Sequence, residues 1–192
     1  LFQESAEQNI EVLKEYDVQS IITHCPHCLN SLKQDYPQFG GDYEVMHHTQ
    51  YLSQLIMSGK LKVDGKALAA PDGSITYHDP CYLARVNGIS DEPRELITAA
   101  AGMKSLQEME RNRNASSCCG AGGGRMWFDD EPETRIGMTR VQEALNTKAR
   151  TVAVSCPFCL TMMTDGVAAQ TDQVLVKDIS EILAEAIDSP ED

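Results

Sequence analysis

The sequence predicts an α/β fold made of two related halves, each built from βαβ units with parallel strands. Three observations predict it. Short β-branched runs alternate with stretches of helical periodicity, the pattern of strands joined by helical crossovers. The chain also matches itself at an offset of 131 residues, which lays Cys25-Pro26-His27-Cys28 on Cys156-Pro157-Phe158-Cys159 and Ser20-Ile21-Ile22-Thr23 on Thr151-Val152-Ala153-Val154. The same offset lays Tyr43-Glu44-Val45 on Val174-Leu175-Val176 without a gap. Finally, each CxxC follows directly on a β-branched run, the carboxyl end of a strand, where ligands gather in Rossmann-like sheets.

The elements follow in order. Ile10 and Leu13 in the first half, and Val141 and Leu145 in the second, mark the apolar face of a polar helix that leads into a strand. After each CxxC comes a second helix, over 29–36 or 160–169, then a second short strand, then an apolar helix over 49–57 or 179–187. Between the halves, residues 59–73 are rich in Gly, Lys and Asp and form the candidate boundary. Residues 74–77 are a short strand that delivers His78-Asp79-Pro80-Cys81, with Pro80 ending strand pairing. A helix is expected over 92–101, and a polar approach over 111–117 to the cysteine pair.

Composition bounds the function. With 192 residues, 42% apolar and 23% charged, the chain can bury a real core. The formal net charge of −13 argues against a sequence-independent hold on nucleic acid, which needs clustered Lys and Arg. No apolar run reaches the roughly 20 residues of a membrane-spanning helix. There is no basic-then-apolar signal at the start, so seven cysteines point to a reducing, cytoplasmic setting and to metal or redox thiols rather than disulfides. Leu1-Phe2-Gln3-Glu4 reads as the interior of a helix already under way, as in a fragment.

The chemistry lies in five thiols. Between Cys81 and the adjacent pair Cys118-Cys119 lie 36 residues, and 36 more lie between the pair and the CxxC of Cys156 and Cys159. Thiolates are the soft ligands of iron–sulfur clusters, zinc or Cu(I), and a fifth thiol sits awkwardly with tetrahedral zinc. Gly120, Gly122 and Gly123, in Cys118-Cys119-Gly120-Ala121-Gly122-Gly123-Gly124, let a backbone approach a bulky inorganic group and offer amides to sulfur. The loop lacks the Lys and Ser or Thr of a phosphate loop. Cys25 and Cys28 are an orphan pair, for the offset carries the counterparts of Cys81 and Cys118-Cys119 to about 50 and about 13 residues before Leu1. The pair is expected to face empty space.

Other residues stand beside these. His24, His27, His47, His48 and His78 invite a metal reading, but packing is commoner for a lone histidine. His78, three residues before Cys81, is the best candidate to support a ligand without being one. Arg125 is a candidate to offset cluster charge or bind an anion, with surface solvation at even weight. Met126-Trp127-Phe128 is expected as an apolar lid, or as core, and the acids between 129 and 133 as a solvated helix start.

With these motifs in hand, the chain resembles the cysteine-rich CCG domain family. That family includes the catalytic B-type and D-type subunits of heterodisulfide reductases, the glycolate oxidase iron–sulfur subunit and related (Fe–S)-binding oxidoreductases. His78-Asp79-Pro80-Cys81-Tyr82-Leu83 and Cys118-Cys119-Gly120-Ala121-Gly122-Gly123-Gly124-Arg125-Met126-Trp127 look most like the bacterial membrane-associated branch. The resemblance implies a noncubane [4Fe–4S] cluster held by Cys81, Cys118, Cys119, Cys156 and Cys159, with Cys25 and Cys28 belonging to a second. Residues 1–60 would be the remnant of a first repeat, 61–73 a linker, and 74–192 the complete second repeat. It further implies an oxidoreductase component, incomplete as this chain alone. That component would pass electrons from a flavoprotein or similar donor to a disulfide or quinone-linked acceptor. Partners would be a flavoprotein, a ferredoxin-type domain and a membrane quinone module, placing the chain in the cytoplasm or peripherally at the inner face of the membrane. The residues leave two alternatives standing: a structural zinc domain, and a thiol–disulfide oxidoreductase working through one CxxC.

Overall fold

The computed structural model describes residues 1–65, 74–128 and 135–187, and its strands are all parallel. In the first half, helix α1 (Phe2–Glu15) precedes strand β1 (Ser20–Thr23), helix α2 (Pro26–Asn30), strand β2 (Glu44–His47) and helix α3 (His48–Met57). In the second half, strand β3 (Ile75–Tyr77), helix α4 (Glu92–Ala101) and helix α5 (Ile136–Asn146) precede strand β4 (Thr151–Val154), helix α6 (Pro157–Ala168), strand β5 (Leu175–Asp178) and helix α7 (Ile179–Ala186). Strands β1 and β2 form one sheet and β3-β4-β5 the other, with a bridge from Ile75 to Leu106 beside β3.

The offset of 131 survives at atomic detail. It maps β1 on β4, β2 on β5, and the first residues of α2 and α3 on those of α6 and α7. Register follows: Ser20 pairs with Glu44 as Thr151 pairs with Leu175. Pro26 and Pro157 each take the first turn of a helix, where a missing N–H costs nothing and a fixed φ helps.

Two expectations shift. The helix expected over 29–36 begins at Pro26 and gives way to a π turn (Ser31–Asp35) and a 3₁₀ turn (Tyr36–Phe39). Pro37 is the cause: it has no N–H to give and its ring crowds the carbonyl four residues back, so the helix widens before it. The helix expected over 160–169 likewise begins earlier, at its proline. By contrast, the residues expected as a helix over 92–101 and as a strand ending before Pro80 form α4 and β3.

The halves share their core. Leu52 and Ile56 of α3 pack against Leu96, Ile97, Ile182 and Leu183 of α4 and α7. Leu29 and Val45 of the first half meet Leu83 and Ile89 of the second. Burying each such side chain contributes about 1.5–3 kcal/mol, so the first half is welded to the second. The expected linker starts packed: the Asp64 amide donates to the Ala186 carbonyl at 2.9 Å. Its remainder, 66–73, and the acids at 129–133 lie outside the described residues. No helix among the described residues is long and apolar enough to cross a membrane.

Candidate metal centre

Strand ends and helix starts set out the thiols. Cys156 has an extended backbone at the N-cap of α6, which puts Cys159 in the first helical turn. Backbone amides of Phe158 and Cys159 donate to the Cys156 sulfur, as the open amides of a helix N-terminus favour an anion. Tyr77 ties the neighbouring strand to this corner, its hydroxyl 2.5 Å from Ser155 Oγ.

Asp79 joins Cys81 to the cysteine pair. Its fully buried carboxylate receives Arg94 Nη1 at 2.8 Å and Nη2 at 3.0 Å, and the Arg113 amide at 2.8 Å. Its carbonyl accepts from Ser116 Oγ at 3.0 Å, two residues before Cys118. Arg94 is also held by Glu108 at 2.6 Å and by the Ser90 carbonyl at 2.7 Å. Arg85 reaches from the π turn after Cys81 to the Asn114 and Ser116 carbonyls. The turn that carries Cys81 and the strand of chain that carries Cys118 are thereby one rigid piece.

Backbone contact seats the pair from the other side. A Cβ at Gly137 of α5 would lie 2.4 Å from the Cys119 carbonyl oxygen, and one at Gly120 would lie 3.1 Å from the Gly137 nitrogen. Gly120 also has φ of 93°, open to glycine and strained for other residues. Only two facing glycines allow the loop to lie on α5 this closely.

The five sulfurs form a continuous run. Cys81 is hydrogen-bonded to Cys118, Cys118 to Cys119, and Cys159 to Cys156. Cys119 and Cys159 meet with sulfurs 3.4 Å apart. All seven cysteines are free thiols. Crowding sorts the protons: hydrogen bonds from Cys119 and Cys81 hold Cys118 far below the usual thiol range, and the bond from Cys159 brings Cys156 down to about 5. The donors rise in turn, Cys119 to about 11, and Cys81 and Cys159 further. Amides of Gly120, at 3.3 Å, and Gly122 also donate to Cys118. Gly122, Gly123 and Gly124 are exposed, with no atom within 4 Å of where a Cβ would stand.

Of the orphan pair, Cys25 is buried against the second half while Cys28 is exposed, so only Cys28 faces open space. His27 Nδ1 lies 3.9 Å from Cys25 Sγ, and the ring also hydrogen-bonds Cys156. The ring stacks on Tyr82 at 4.2 Å and meets Phe158 edge-on at 5.5 Å. The Cys156 and Cys25 sulfurs together raise His27 to about 9. Burial pushes Cys28 up to about 11; it opposes, without overcoming, the hydrogen bonds that lower Cys25. The shared core of Leu29, Val45, Leu83 and Ile89 brings the orphan pair beside the second array.

The remaining candidates divide. His78 is buried, and one of its ring nitrogens lies within 4.8 Å of the Cys119 and Cys159 sulfurs. His47 caps α3 and bonds the His24 carbonyl, His48 bonds Asp178, and His24 is exposed, so these three serve the fold or solvent. Met126-Trp127-Phe128 forms no lid: Trp127 is 81% exposed and Phe128 is 68% exposed. The positive φ of Gly123 and Gly124 turns the segment outward. Met126, Phe128 and Arg125 instead border a cleft of about 360 Å³ beyond Gly120, closed by Arg135, Met138 and Met162.

Sequence reading passed over Arg140, a fully buried guanidinium whose Nε lies 2.9 Å from His78 Nδ1. A signal existed. Gly137, Val141 and Ala144 mark the inward face of α5, and position 140 falls on that face.

These thiols sit in a recognised pattern. A family profile described as Cysteine-rich domain, CCG, matches residues 1–33 and 75–164. The chain is 43% identical over 189 residues to the Bacillus subtilis protein named probable iron-sulfur-binding oxidoreductase FadF, covering 97% of this chain and 26% of that protein. It is 41% identical over 197 residues to the EtfAB:quinone oxidoreductase of Syntrophomonas wolfei, covering 98% and 27%. It is 35% identical over 187 residues to one subunit of the dihydromethanophenazine:CoB--CoM heterodisulfide reductase of Methanosarcina barkeri, covering 96% and 44%. The chain thus spans between a quarter and a half of the length of these relatives. With five sulfurs gathered at the strand ends that its motifs mark, the chain belongs to the cysteine-rich CCG domain family.

Proposed function

We propose that the chain is the cluster-bearing portion of an iron–sulfur oxidoreductase, with Cys81, Cys118, Cys119, Cys156 and Cys159 holding one [4Fe–4S] cluster of the noncubane kind. The observation that carries the reading is the continuous run of five sulfurs, closed by the 3.4 Å contact between Cys119 and Cys159. The donor set fits: the ligands are soft and crowded, amides of Gly120 and Gly122 already point at sulfur, and the loop beyond has room. A bound cluster supplies one-electron chemistry at a potential set by its ligands, its hydrogen bonds and its burial.

The protein's own part is to orient and to seclude. Asp79 and Arg94 fix the turn before Cys81, Gly137 seats Cys119, and burial of Cys119, Cys156 and Cys159 keeps water from three of the five sulfurs. Cys25, joined through His27 to Cys156, and Cys28 would belong to a second site. Electrons would pass from a flavoprotein-type donor to a disulfide or quinone-linked acceptor. Partners would include a ferredoxin-type domain or a membrane quinone module at the cytoplasmic face. The names of the relatives support this setting, since they include an EtfAB:quinone oxidoreductase and a heterodisulfide reductase component.

Anaerobic purification or reconstitution followed by iron, sulfide and zinc analysis tests the proposal. About four irons with sulfide per chain and a paramagnetic signal on redox titration are expected. Stoichiometric zinc without iron, or an active dithiol free of metal, would sink it.

A further inference from the structure

Arg140 and His78 form a buried pair whose geometry settles a question of chemistry. Arg140 Nε lies 2.9 Å from His78 Nδ1, and Arg140 is wholly shielded from solvent. A guanidinium Nε–H can only donate, so Nδ1 must accept and carries no proton. The ring is then the neutral tautomer with its hydrogen on Nε2. Among the described residues Nε2 has no hydrogen-bond partner, although His78 is only 1% exposed. A buried donor left unmatched is costly, and such a donor calls for an acceptor not yet supplied.

The residue that carries that donor is held at both ends. The His78 amide donates to the Ala153 carbonyl at 2.9 Å, which extends the pairing of β3 with β4 and locks the backbone at the strand end. With Nδ1 taken by Arg140, Nε2 is the nitrogen free to donate, and the sulfurs grouped with the ring are those of Cys119 and Cys159, within 4.8 Å of one ring nitrogen. Arg140 is anchored in turn by Glu143 Oε2 and the Arg111 carbonyl, at 2.8 and 2.7 Å. Arg140 Nη2 is a second buried donor without a partner among the described residues.

We infer that Arg140 holds His78 as an Nε2–H donor to sulfur of the thiol array, which makes His78 a positioning and tuning residue and bars it from ligating metal. To bind a metal, Nε2 would have to give up its hydrogen to Nδ1, and Nδ1–H would then meet the Arg140 Nε–H head-on. The His78, Cys119 and Cys159 grouping therefore cannot serve as a zinc site while Arg140 stands. A donor to sulfur stabilises the more negative, reduced state of a cluster, so this pair raises the reduction potential.

The part of the inference that concerns sulfur of a loaded cluster rests on the function proposed above, and the tautomer does not. Nitrogen-15 histidine labelling of the metal-free chain reads the tautomer directly. His78 is expected to show a protonated Nε2 and a bare Nδ1 throughout about pH 5 to 8, the range in which a free histidine changes charge. The Arg140→Leu variant should lose that fixed state, and its folding is checked by the unchanged resonances of His47. An Nδ1–H tautomer or an imidazolium in the parent chain overturns the inference whether or not a cluster ever loads.

In the reconstituted chain, pulsed electron paramagnetic resonance should detect an exchangeable proton on a weakly coupled histidine nitrogen. His78→Phe should shift the potential to more negative values, and His78→Gln, which keeps an N–H, should recover part of the shift. Strong coupling typical of a ligated nitrogen, or a potential unmoved by His78→Phe, overturns the inference while leaving the cluster itself in place. Failure to load iron at all counts against the function proposed above and leaves the tautomer measurement to decide.

Discussion

His47 and Asp178 hold the same station in the two halves of the protein. Each caps a helix by accepting from the amide two residues on, that of Thr49 or Ser180, and each has its own amide received by the residue three on, Gln50 or Glu181. The halves then touch at these caps, for His48 Nε2 lies 3.1 Å from Asp178 Oδ1. Asp178→Ala removes a cap and a bond between halves together. It should cost about 1–2 kcal/mol in urea denaturation, whereas Asp178→Asn, which can still cap, should cost less than half as much. Equal losses for the two would show that capping contributes nothing here.

The other cap makes stability depend on pH. Burial is the main reason that His47 is driven down to about 3, with the neighbouring His48 adding to it. Unfolded, the same side chain takes a proton near pH 6.5. Below that point the unfolded chain binds a proton that the native one refuses, so stability falls as pH drops from about 6.5 toward about 3. The slope from this residue is at most about 1.4 kcal/mol per pH unit. His78, driven down to about 3 chiefly by burial, adds a slope of the same sign. His47→Asn keeps a capping side chain and should flatten the wild-type profile by one proton; identical profiles would refute the assignment.

The ion pair beneath Cys81 carries unequal weights. Asp79 is fully buried and Glu108 is not, yet both bind Arg94. Asp79→Ala leaves the buried Arg94 guanidinium with Glu108 as its one remaining carboxylate partner and takes the acceptor from the Arg113 amide, and should cost about 3 kcal/mol. It should also speed alkylation of Cys81 and Cys118. Glu108→Ala should cost about 1 kcal/mol or less and leave the thiols as they were. Thiol reactivity that stays the same in both variants would mean that Asp79 does not position the array.

Two glycines give opposite expectations. Gly137→Ala drives a methyl into the Cys119 carbonyl, so about 1–3 kcal/mol and most of the iron loading should be lost. Gly122→Ala meets open space and has no positive φ, so it should load iron like the parent chain. Iron content per folded chain decides the pair.

Much of this was legible from sequence because it is written in local pattern. The repeat offset located two strands of each half, although the helices after each CxxC begin three residues earlier than the apolar pattern indicated, at Pro26 and Pro157. The five cysteines announced their own convergence through spacing and strand-end placement. What sequence could not show was contact between distant segments. Nothing in Cys25-Pro26-His27-Cys28 says that its histidine will lie against Cys156, since that follows from Leu29 and Val45 packing on Leu83 and Ile89. Arg140 was hidden for a related reason: an arginine on an inward helix face reads as a surface charge until its buried partners are known. Trp127 misled in the other direction, because apolar character suggested cover while the glycines before it turned the chain outward.

Helix α5 brings its Gly137 to the Cys119 carbonyl and its Arg140 to His78, three residues apart and both on the buried side. Anything that displaces this one helix by a fraction of an ångström moves the seat of Cys119 and the hold on His78 in the same movement. If the array holds the proposed cluster, its reduction potential would follow the position of α5. Loading the array should slow amide hydrogen exchange along α5 more than along α1, its counterpart in the other half, and a partner that grips α5 would set the potential from outside.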